Sequence, residues 1–296
     1  MTETLKQKFI QHVLQLQDEI TQKMQQLEPT VELIEDPWQR VDHAGQAGGG
    51  GRTRAFRGKL FENAGVNTSN VFGAISPEFA QKMGSTSDQM WATGISLIIH
   101  PTNPKVPTVH ANFRMIEMGD KIWFGGGADL TPYYPIEEDF HYFHQVWKEA
   151  CAPYGVYPQM KKTCDEYFVN HHRNGEMRGI GGLFFDHWNS GDLNADFEMV
   201  INLSNQFIKS YFPIVEKRQH ENYTERDEEF QLHRRGRYVE FNLLHDRGTL
   251  FGLKTNGRIE SILISLPARC RFTYNYQPPV GSPQEKMMSY YRPQNW

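Results

Sequence analysis

Cysteine is scarce in this sequence, and its positions do not form a short, regular motif. The three cysteines, Cys151, Cys164 and Cys270, are odd in number and far apart along the chain. A zinc site or a redox dithiol normally needs sulfur ligands only a few residues apart. The pattern therefore predicts reduced thiols in a cytoplasmic protein.

The chain also lacks a long apolar run and an excess of basic residues. No apolar run approaches the roughly 18 residues of a membrane-spanning helix, and the N-terminal segment has no signal-peptide core. The formal net charge is −4, whereas surfaces that bind nucleic acid are normally basic. These absences predict no transmembrane segment and exclude nucleic acid as the main partner.

Nucleotide-binding motifs are absent as well. The four glycines at 48–51 are followed neither by Gly-Lys-Ser/Thr nor by a GxGxxG that opens a helix. They lie beside three arginines, Arg52, Arg54 and Arg57. A flexible glycine segment could close over a carboxylate-bearing ligand, which arginine binds with a planar fork. The alternative is a solvated basic loop.

The composition itself is that of a globular protein with a sizeable core. Of 296 residues, 39% are hydrophobic and 22% are charged, which is typical of a folded chain. Apolar residues recur every three or four positions from Thr4 to Leu27, and Pro29 follows. This period predicts an amphipathic N-terminal helix within residues 1–28.

Two strands with polar faces are predicted next, at Gly94–Ile99 and Val109–Ile116. Alternation places six side chains on these faces: Ser96, Ile98 and His100 on the first strand, and His110, Asn112 and Arg114 on the second. A histidine, an amide and an arginine in one row could bind an anion while the histidine moves a proton near neutral pH. An exposed polar face is the alternative.

Further elements follow from composition and period. Residues 123–134 combine a strand end with a glycine-rich turn. Helices are predicted at Pro135–Cys151, Met160–His172, Phe197–Ile214 and Arg226–His233, with a strand at Arg178–Asp186.

The segment 237–266 alternates like a β-meander. Strands are predicted at Arg237–His245, Thr249–Thr255 and Ile259–Leu266, with Asn256-Gly257 as a hairpin turn. Asp246 and Arg247 then lie in the first turn, where functional residues often collect. The alternative is an aspartate that only opens a tight turn.

Twelve histidines suggest a metal site, with His100, His110, His144 and His172 as candidate ligands. No HExxH motif is present, so spacing gives weak support. An all-histidine set suits zinc or copper better than magnesium or manganese.

Five stretches together resemble the oxygen-dependent coproporphyrinogen III oxidase family. They are GGGGRTR at 48–54, SLIIHPTNPKVPTVHANFR at 96–114, WFGGGADLTPYY at 123–134, HRNGEMRGIGGLFFD at 172–186 and GRYVEFNLLHDRGTLFGLKTNGRIESILISLP at 236–267. They occur in order over nearly the whole chain.

The resemblance implies an α+β fold with a large, flat, mostly antiparallel sheet between layers of helices, in a single domain over 1–296. It implies a homodimer, with residues 237–266 contributing to the interface. The implied reaction converts two propionates of coproporphyrinogen III to vinyl groups, giving protoporphyrinogen IX. O₂ is the oxidant, and no flavin, haem or nicotinamide is needed.

The resemblance also assigns roles to residues of this chain. The proton donor falls on His110, and the essential aspartate and its neighbouring arginine fall on Asp246 and Arg247. Substrate contacts fall on Ser96, Asn112, Phe113, Arg114, Asn256, Gly257 and Arg258. Some members are assigned a divalent metal at four histidines, which match His100, His110, His144 and His172; others are described as metal-free.

The implied chemistry suits these residue types. A porphyrinogen has four pyrrole N–H groups that can converge on one carboxylate, for which Asp246 is the candidate. Three arginines are candidates to hold propionates through charge-assisted hydrogen bonds: Arg114, Arg247 and Arg258.

Three positions depart from the family pattern, His187, His245 and Phe272. No Arg- and Ser-rich transit segment precedes the first helix, which favours a cytoplasmic, bacterial-type form. Two other classes stay open, a non-catalytic tetrapyrrole carrier and a histidine-metal oxygenase acting on another substrate.

Overall fold

The computed structural model describes residues 2–254 and 257–296, and only the backbone of Phe251 and Lys254. The strands, in chain order, are β1 (Glu32–Val41), β2 (Ala47–Arg57), β3 (Phe61–Ala74), β4 (Gln89–Pro101), β5 (Thr108–Met118), β6 (Lys121–Thr131), β7 (Val169–Asn170), β8 (Glu176–Met177) and β9 (Gly182–Trp188). Strands β7 and β8 pair with each other. The others form a seven-stranded sheet in the order β1-β2-β3-β4-β5-β6-β9, in which every neighbouring pair is antiparallel.

Helices cover both faces of the sheet. They are α1 (Thr2–Leu27), α2 (Pro77–Lys82), α3 (Glu137–Cys151), α4 (Tyr157–Tyr167), α5 (Leu193–Asn205), α6 (Phe207–Arg218), α7 (Glu225–Leu244), α8 (Arg247–Lys254), α9 (Ile259–Leu263) and α10 (Pro283–Tyr290). Short 3-10 turns lie at Ala152–Tyr154 and His171–Arg173. The α+β fold class, with an antiparallel sheet between helical layers, is confirmed.

The two faces of the sheet differ in chemistry. One face, called here the core face, packs against α1, α3, α5 and α6 through alternate apolar residues such as Ile95, Leu97 and Phe113. The other, called the site face, carries polar residues of β3, β4 and β5. Helix α4 packs beside β9 on the site face, where Tyr167 stacks on Phe184.

The N-terminal helix is confirmed, and its apolar stripe is buried as the period predicts. Its side chains join the core cluster of the sheet. Burying such a stripe on the sheet contributes about 25 cal/mol for each Å² of apolar surface removed from water. The sequence pattern and the tertiary packing agree here.

The predicted β-meander at 237–266 is wrong. This segment is helical, comprising the end of α7 followed by α8 and α9. Helix α7 begins upstream at a capping box, in which Thr224 and Asp227 bond each other's backbone, and a started helix propagates easily. A short apolar run does not by itself distinguish a strand from a helix. The predicted Asn256-Gly257 turn includes Asn256, which lies outside the described residues.

Both glycine-rich segments belong to strands. The run at 48–51 lies inside β2, so neither the closing loop nor the solvated loop is found. Arg52 and Arg54 bond to Asp18 of α1 instead of facing a ligand. The glycines at 125–127 lie inside β6 and do not form a turn.

The remaining predicted elements are largely confirmed, with shifted ends. The helix predicted after Pro135 is α3, and the one predicted at Met160–His172 is α4, which ends earlier, at Tyr167. The helix predicted at Phe197–Ile214 is two helices, α5 and α6. None of the helices in the part of the chain that the structure describes is both long and apolar enough to cross a membrane.

Candidate active site

The register of the strands assembles the predicted polar residues into one surface. Ser96 of β4 pairs with Asn112 of β5 on one side and with Asn67 of β3 on the other. Because paired residues of antiparallel neighbours share a face, these side chains form a row across the site face. Arg114 and His110 lie two residues to either side of Asn112 on β5 and share that face.

His110 is oriented by a buried carboxylate that no sequence motif indicated. Its Nδ1 lies 2.9 Å from Asp129 Oδ1, and the two residues are register partners on β5 and β6. Arg178 donates to both oxygens of Asp129, at 2.7 and 2.9 Å. Burial raises the pKa of Asp129, but Arg178 and the His110 hydrogen bond outweigh it, and the pKa lies below its usual value.

This arrangement fixes the tautomer of His110. An ionised carboxylate only accepts hydrogen bonds, so the His110 Nδ1 must carry the proton that it shares with Asp129. The other ring nitrogen, Nε2, is then the atom that can accept or donate a proton toward a ligand. The chain of three groups suits proton transfer at a defined atom.

Arg178 is held in an aromatic cage. Its guanidinium carbon lies 4.1, 4.5 and 4.9 Å from the ring centroids of Phe168, Tyr238 and Phe241. Asn242 accepts a further hydrogen bond from it at 2.8 Å. Helix α7 thereby supports Asp129, and through it the orientation of His110.

Arg114 lies across the glycines of β6 to reach a second carboxylate. Its Nη2 donates to Asp186 Oδ1 of β9 at 2.8 Å. A Cβ at Gly125 would lie 2.7 Å from the Arg114 Nε, so glycine leaves the guanidinium room to lie across β6. Burial raises the pKa of Asp186, but Arg114 and His187 lower it below its usual value.

The other predicted contacts on β4 and β5 divide between the two faces. Ser96 is exposed on the site face, and Asn112 lies beside it. The side chain of Phe113 is 1% exposed in the core cluster of the opposite face. Alternation turns the side chain of residue 113 toward the core. The predicted substrate contact of Phe113 stays a prediction, for which only its backbone lies at the site face.

Asp246 caps helix α8 instead of lying in a strand turn. Its Oδ2 accepts a hydrogen bond from the Thr249 backbone at 2.7 Å, and its Oδ1 accepts from the Tyr167 hydroxyl at 2.8 Å. Arg247 lies over the Tyr167 ring, 4.7 Å from its centroid. Burial, and then Asp246, raise the pKa of Tyr167 to about 12. Since Tyr167 stacks on Phe184 of β9, Asp246 is joined to the sheet through this ring.

Another predicted contact, Arg258, lies at the edge of the sheet opposite β9. Arg258 pairs with Asp36 of β1. Gly257 donates its backbone N–H to the Gly252 carbonyl at 2.8 Å. Asn256 lies outside the described residues.

The four histidines predicted as metal ligands do not meet. His100 is fully buried between Thr108 and the Ser265 carbonyl. His144 lies between Tyr157 and the Ile180 carbonyl. A carbonyl accepts, so in each ring Nε2 carries the proton and the Nδ1 lone pair accepts from a hydroxyl.

His172 is bound elsewhere, by Glu240 and His245. Across residues 2–254 and 257–296, no three His, Cys, Asp or Glu side chains come together in a way that could hold a metal ion. The residues present do not fit a metal bound by these four histidines.

The burial of His100 and His144 predicts a pH-dependent stability. Burial lowers the pKa of each ring from 6.5 to about 3, whereas in the unfolded chain each takes up a proton near 6.5. Between these values the unfolded state binds more protons. The free energy of unfolding is thus highest above pH 6.5 and falls by about 1.4 kcal/mol per pH unit for each histidine as the pH drops toward 3.

His144→Gln tests this expectation by urea unfolding at about pH 7.5 and pH 5. The variant should lose about 2 kcal/mol less than the wild type between these pH values. His141→Gln, on the exposed side of the same helix, is the matched control and should behave as the wild type. Equal losses in all three proteins would contradict the assignment.

The fold and the site together define a class of protein. It is an α+β protein whose sheet presents a proton-carrying histidine and arginines suited to an anionic organic ligand. Within that class, the family model described as coproporphyrinogen III oxidase matches residues 8–296. The chain belongs to this family, whose activity is the oxidation of coproporphyrinogen in porphyrin biosynthesis.

Proposed function

We propose that the protein catalyses the aerobic oxidative decarboxylation of two propionates of coproporphyrinogen III to vinyl groups, giving protoporphyrinogen IX. Each propionate loses CO₂ and one hydrogen together with two electrons, and O₂ accepts the electrons. No organic redox cofactor takes part. The observation that carries the proposal is a family match over residues 8–296 together with His110 and Arg114 on one sheet face.

The residues of the site have separate tasks in this reaction. His110, held by Asp129 through Nδ1, moves a proton at Nε2. Arg114 has five guanidinium N–H groups, and its hydrogen bond to Asp186 uses only one of them. The others can bind a propionate. Arg247 and Arg258 are candidates for the other propionates, because a guanidinium binds a carboxylate with a planar fork of N–H groups.

Asp246 is proposed to accept pyrrole N–H groups of the substrate. Its carboxylate already accepts two hydrogen bonds, from Thr249 and Tyr167, but a carboxylate has about four lone-pair sites. Bringing a negative charge beside a pyrrole makes the ring more electron-rich and easier for O₂ to attack. This step needs the charge of Asp246 as well as its oxygen atoms.

Asp246→Asn is expected to abolish turnover while the protein stays folded. The amide oxygen still accepts the Thr249 hydrogen bond, so the helix cap is kept and only the charge is lost. Asp246→Ala should also lose turnover, with a further cost of about 0.5–2 kcal/mol for the lost cap. Product chromatography measures the turnover of both variants, and urea unfolding measures their stability.

A second capping aspartate provides the control. Asp192 caps α5 by accepting from the backbone of Asn194 and Ala195, so Asp192→Ala loses a cap without touching the site. It should keep turnover at a similar loss of stability. Near wild-type turnover in Asp246→Asn would refute the role of the charge.

The reaction itself is tested with coproporphyrinogen III in air and under nitrogen, with chelator-treated protein. The expected result is protoporphyrinogen IX in air only. Product under nitrogen would contradict O₂ as the oxidant. No product in air from protein that still binds the compound would favour a carrier, and activity that returns only with added metal would contradict a metal-free reaction.

We propose that the protein works as a homodimer through the segments 243–253 and 259–263. Exposed apolar side chains concentrate there: Leu243, Leu244, Leu253, Ile259 and Leu263. A cluster of this kind on a folded surface is typical of an interface. Leu244→Asp should shift the protein from dimer to monomer, as measured by sedimentation. Leu14→Asp, on the exposed side of α1, is the control and should remain a dimer. A monomeric wild type would refute the proposal.

A further inference from the structure

His187 occupies a fixed position at the rim of the site face. It follows Asp186 on β9 and has a positive φ of 53°, a backbone region that costs a residue other than glycine roughly 1–3 kcal/mol. Its imidazole lies flat on the indole of Trp123, with centroids 5.3 Å apart and planes 3° apart. The ring is therefore held in one place although the side chain is 62% exposed.

The charged groups that face this ring, within the described residues, are Asp186 and Arg114. His187 Nδ1 lies 3.6 Å from Asp186 Oδ1, the same oxygen that accepts from Arg114 at 2.8 Å. Strand β6 contributes the uncharged Trp123. The Arg114–Asp186 pair carries no net charge, so a carboxylate that approaches it is attracted by one group and repelled by the other.

Protonation of His187 changes this balance. With a charged imidazole the three side chains carry a net charge of +1, and histidine gains its charge between about pH 5 and pH 8. Solvent reaches both cations, since the Arg114 side chain is 32% exposed and the His187 side chain 62%. Because Arg114 Nη2 and His187 Nδ1 lie beside the same Asp186 oxygen, they are close enough for one carboxylate to contact both.

We propose that His187 is a specificity-determining residue that binds a substrate propionate together with Arg114 when its imidazole is protonated. The inference rests on the proposed function, because that function supplies a substrate with several propionates. Asp186 holds Arg114 in place, Trp123 holds His187, and the added positive charge makes the site selective for a carboxylate over a neutral side chain.

Coproporphyrin III is a suitable probe, because it carries the propionates of the proposed substrate and is already fully oxidised. Its Kd is measured by fluorescence titration at about pH 6.5 and pH 8.5, where propionates are ionised. The wild type should bind about threefold more tightly at the lower pH, which is the middle of the range for an exposed ion pair. His187→Asn should lose this part of the pH dependence, with a weaker affinity than the wild type at the lower pH.

Asparagine is the matched replacement, since it tolerates the left-handed backbone and donates a hydrogen bond but carries no charge. His187→Lys restores a charge at both pH values and should bind tightly at both. His141→Asn, on the exposed side of α3, should behave as the wild type. The same pH dependence in His187→Asn as in the wild type would overturn the inference.

Binding of this probe is independent of turnover, which separates the two proposals. A wild type that forms no protoporphyrinogen but shows the pH-dependent binding through His187 would refute the proposed function and keep the carboxylate site. A wild type that is active, with His187→Asn unchanged in Kd at both pH values, would refute only the site.

Discussion

Replacing His110 by asparagine is expected to lower kcat by about 10²–10⁴-fold, the usual contribution of a positioned acid or base. The amide of the new side chain would still donate to Asp129, so the buried Asp129–Arg178 pair keeps its surroundings. The free energy of unfolding should therefore change little, and KM should change less than kcat. Initial rates of protoporphyrinogen formation and urea unfolding measure the two effects separately.

The control for this variant is a histidine outside the site. His141→Asn on α3 should retain wild-type kcat, because its side chain is exposed and packs on Trp296, away from the site face. If His110→Asn retains kcat within about fivefold of the wild type, the proton transfer that we assign to His110 does not limit the reaction.

Replacing Asp129 by leucine is expected to destabilise the protein by about 3–5 kcal/mol. Asp129 and Arg178 are 1% and 2% exposed, so removing the carboxylate leaves a buried guanidinium without its counter-charge. The aromatic rings around Arg178 and the Asn242 amide cannot replace a negative charge. Urea unfolding at neutral pH measures the loss.

The double variant Asp129→Leu with Arg178→Met distinguishes the causes of that loss. A buried ion pair replaced on both sides by apolar groups of similar size is often tolerated, so the double variant should regain more than half of the lost stability. Turnover should stay low in both variants, because His110 has lost the group that fixes its tautomer. A double variant less stable than Asp129→Leu would contradict this account.

The polar faces of β4 and β5 could be predicted from the sequence because alternation is a local property. One face of each strand packs against helices, and the period of two then assigns Ser96, Asn112 and Arg114 to the other. The same reasoning failed for 237–266, where Arg237–His245 also alternates. There the decisive information lay upstream, in the capping box at Thr224.

The pairing of Asp129 with His110 could have been predicted from the sequence, whereas the contact of Arg178 with this pair could not. Gly119-Asp120 forms the two-residue connection of the β5–β6 hairpin, and counting outward from it pairs His110 with Asp129. Arg178 reaches the pair from the segment after β8, positioned by contacts with Phe168 and with α7 that no local pattern encodes. The metal site predicted at four histidines is not formed. The spacing of histidines along the chain does not show which of their ring nitrogens already bond to hydroxyls and carbonyls.

Gly236 illustrates a tertiary constraint inside a helix. A side chain there would come within 2.6 Å of the Arg271 carbonyl, so α7 accepts a residue of poor helix propensity to let another segment approach. Propensity alone favours ending the helix at this point. The close approach of residue 271 explains why glycine stands inside the helix.

The extended backbone of β5 also sets a minimum length for what the enzyme can process. His110 and Arg114 are four residues apart on one strand, which at about 3.3 Å per residue separates them by roughly 13 Å. A single pyrrole with one acid arm can occupy one end of this span but not both. In the site that we propose, a ligand must have the width of a whole macrocycle to contact His110 and Arg114 at the same time.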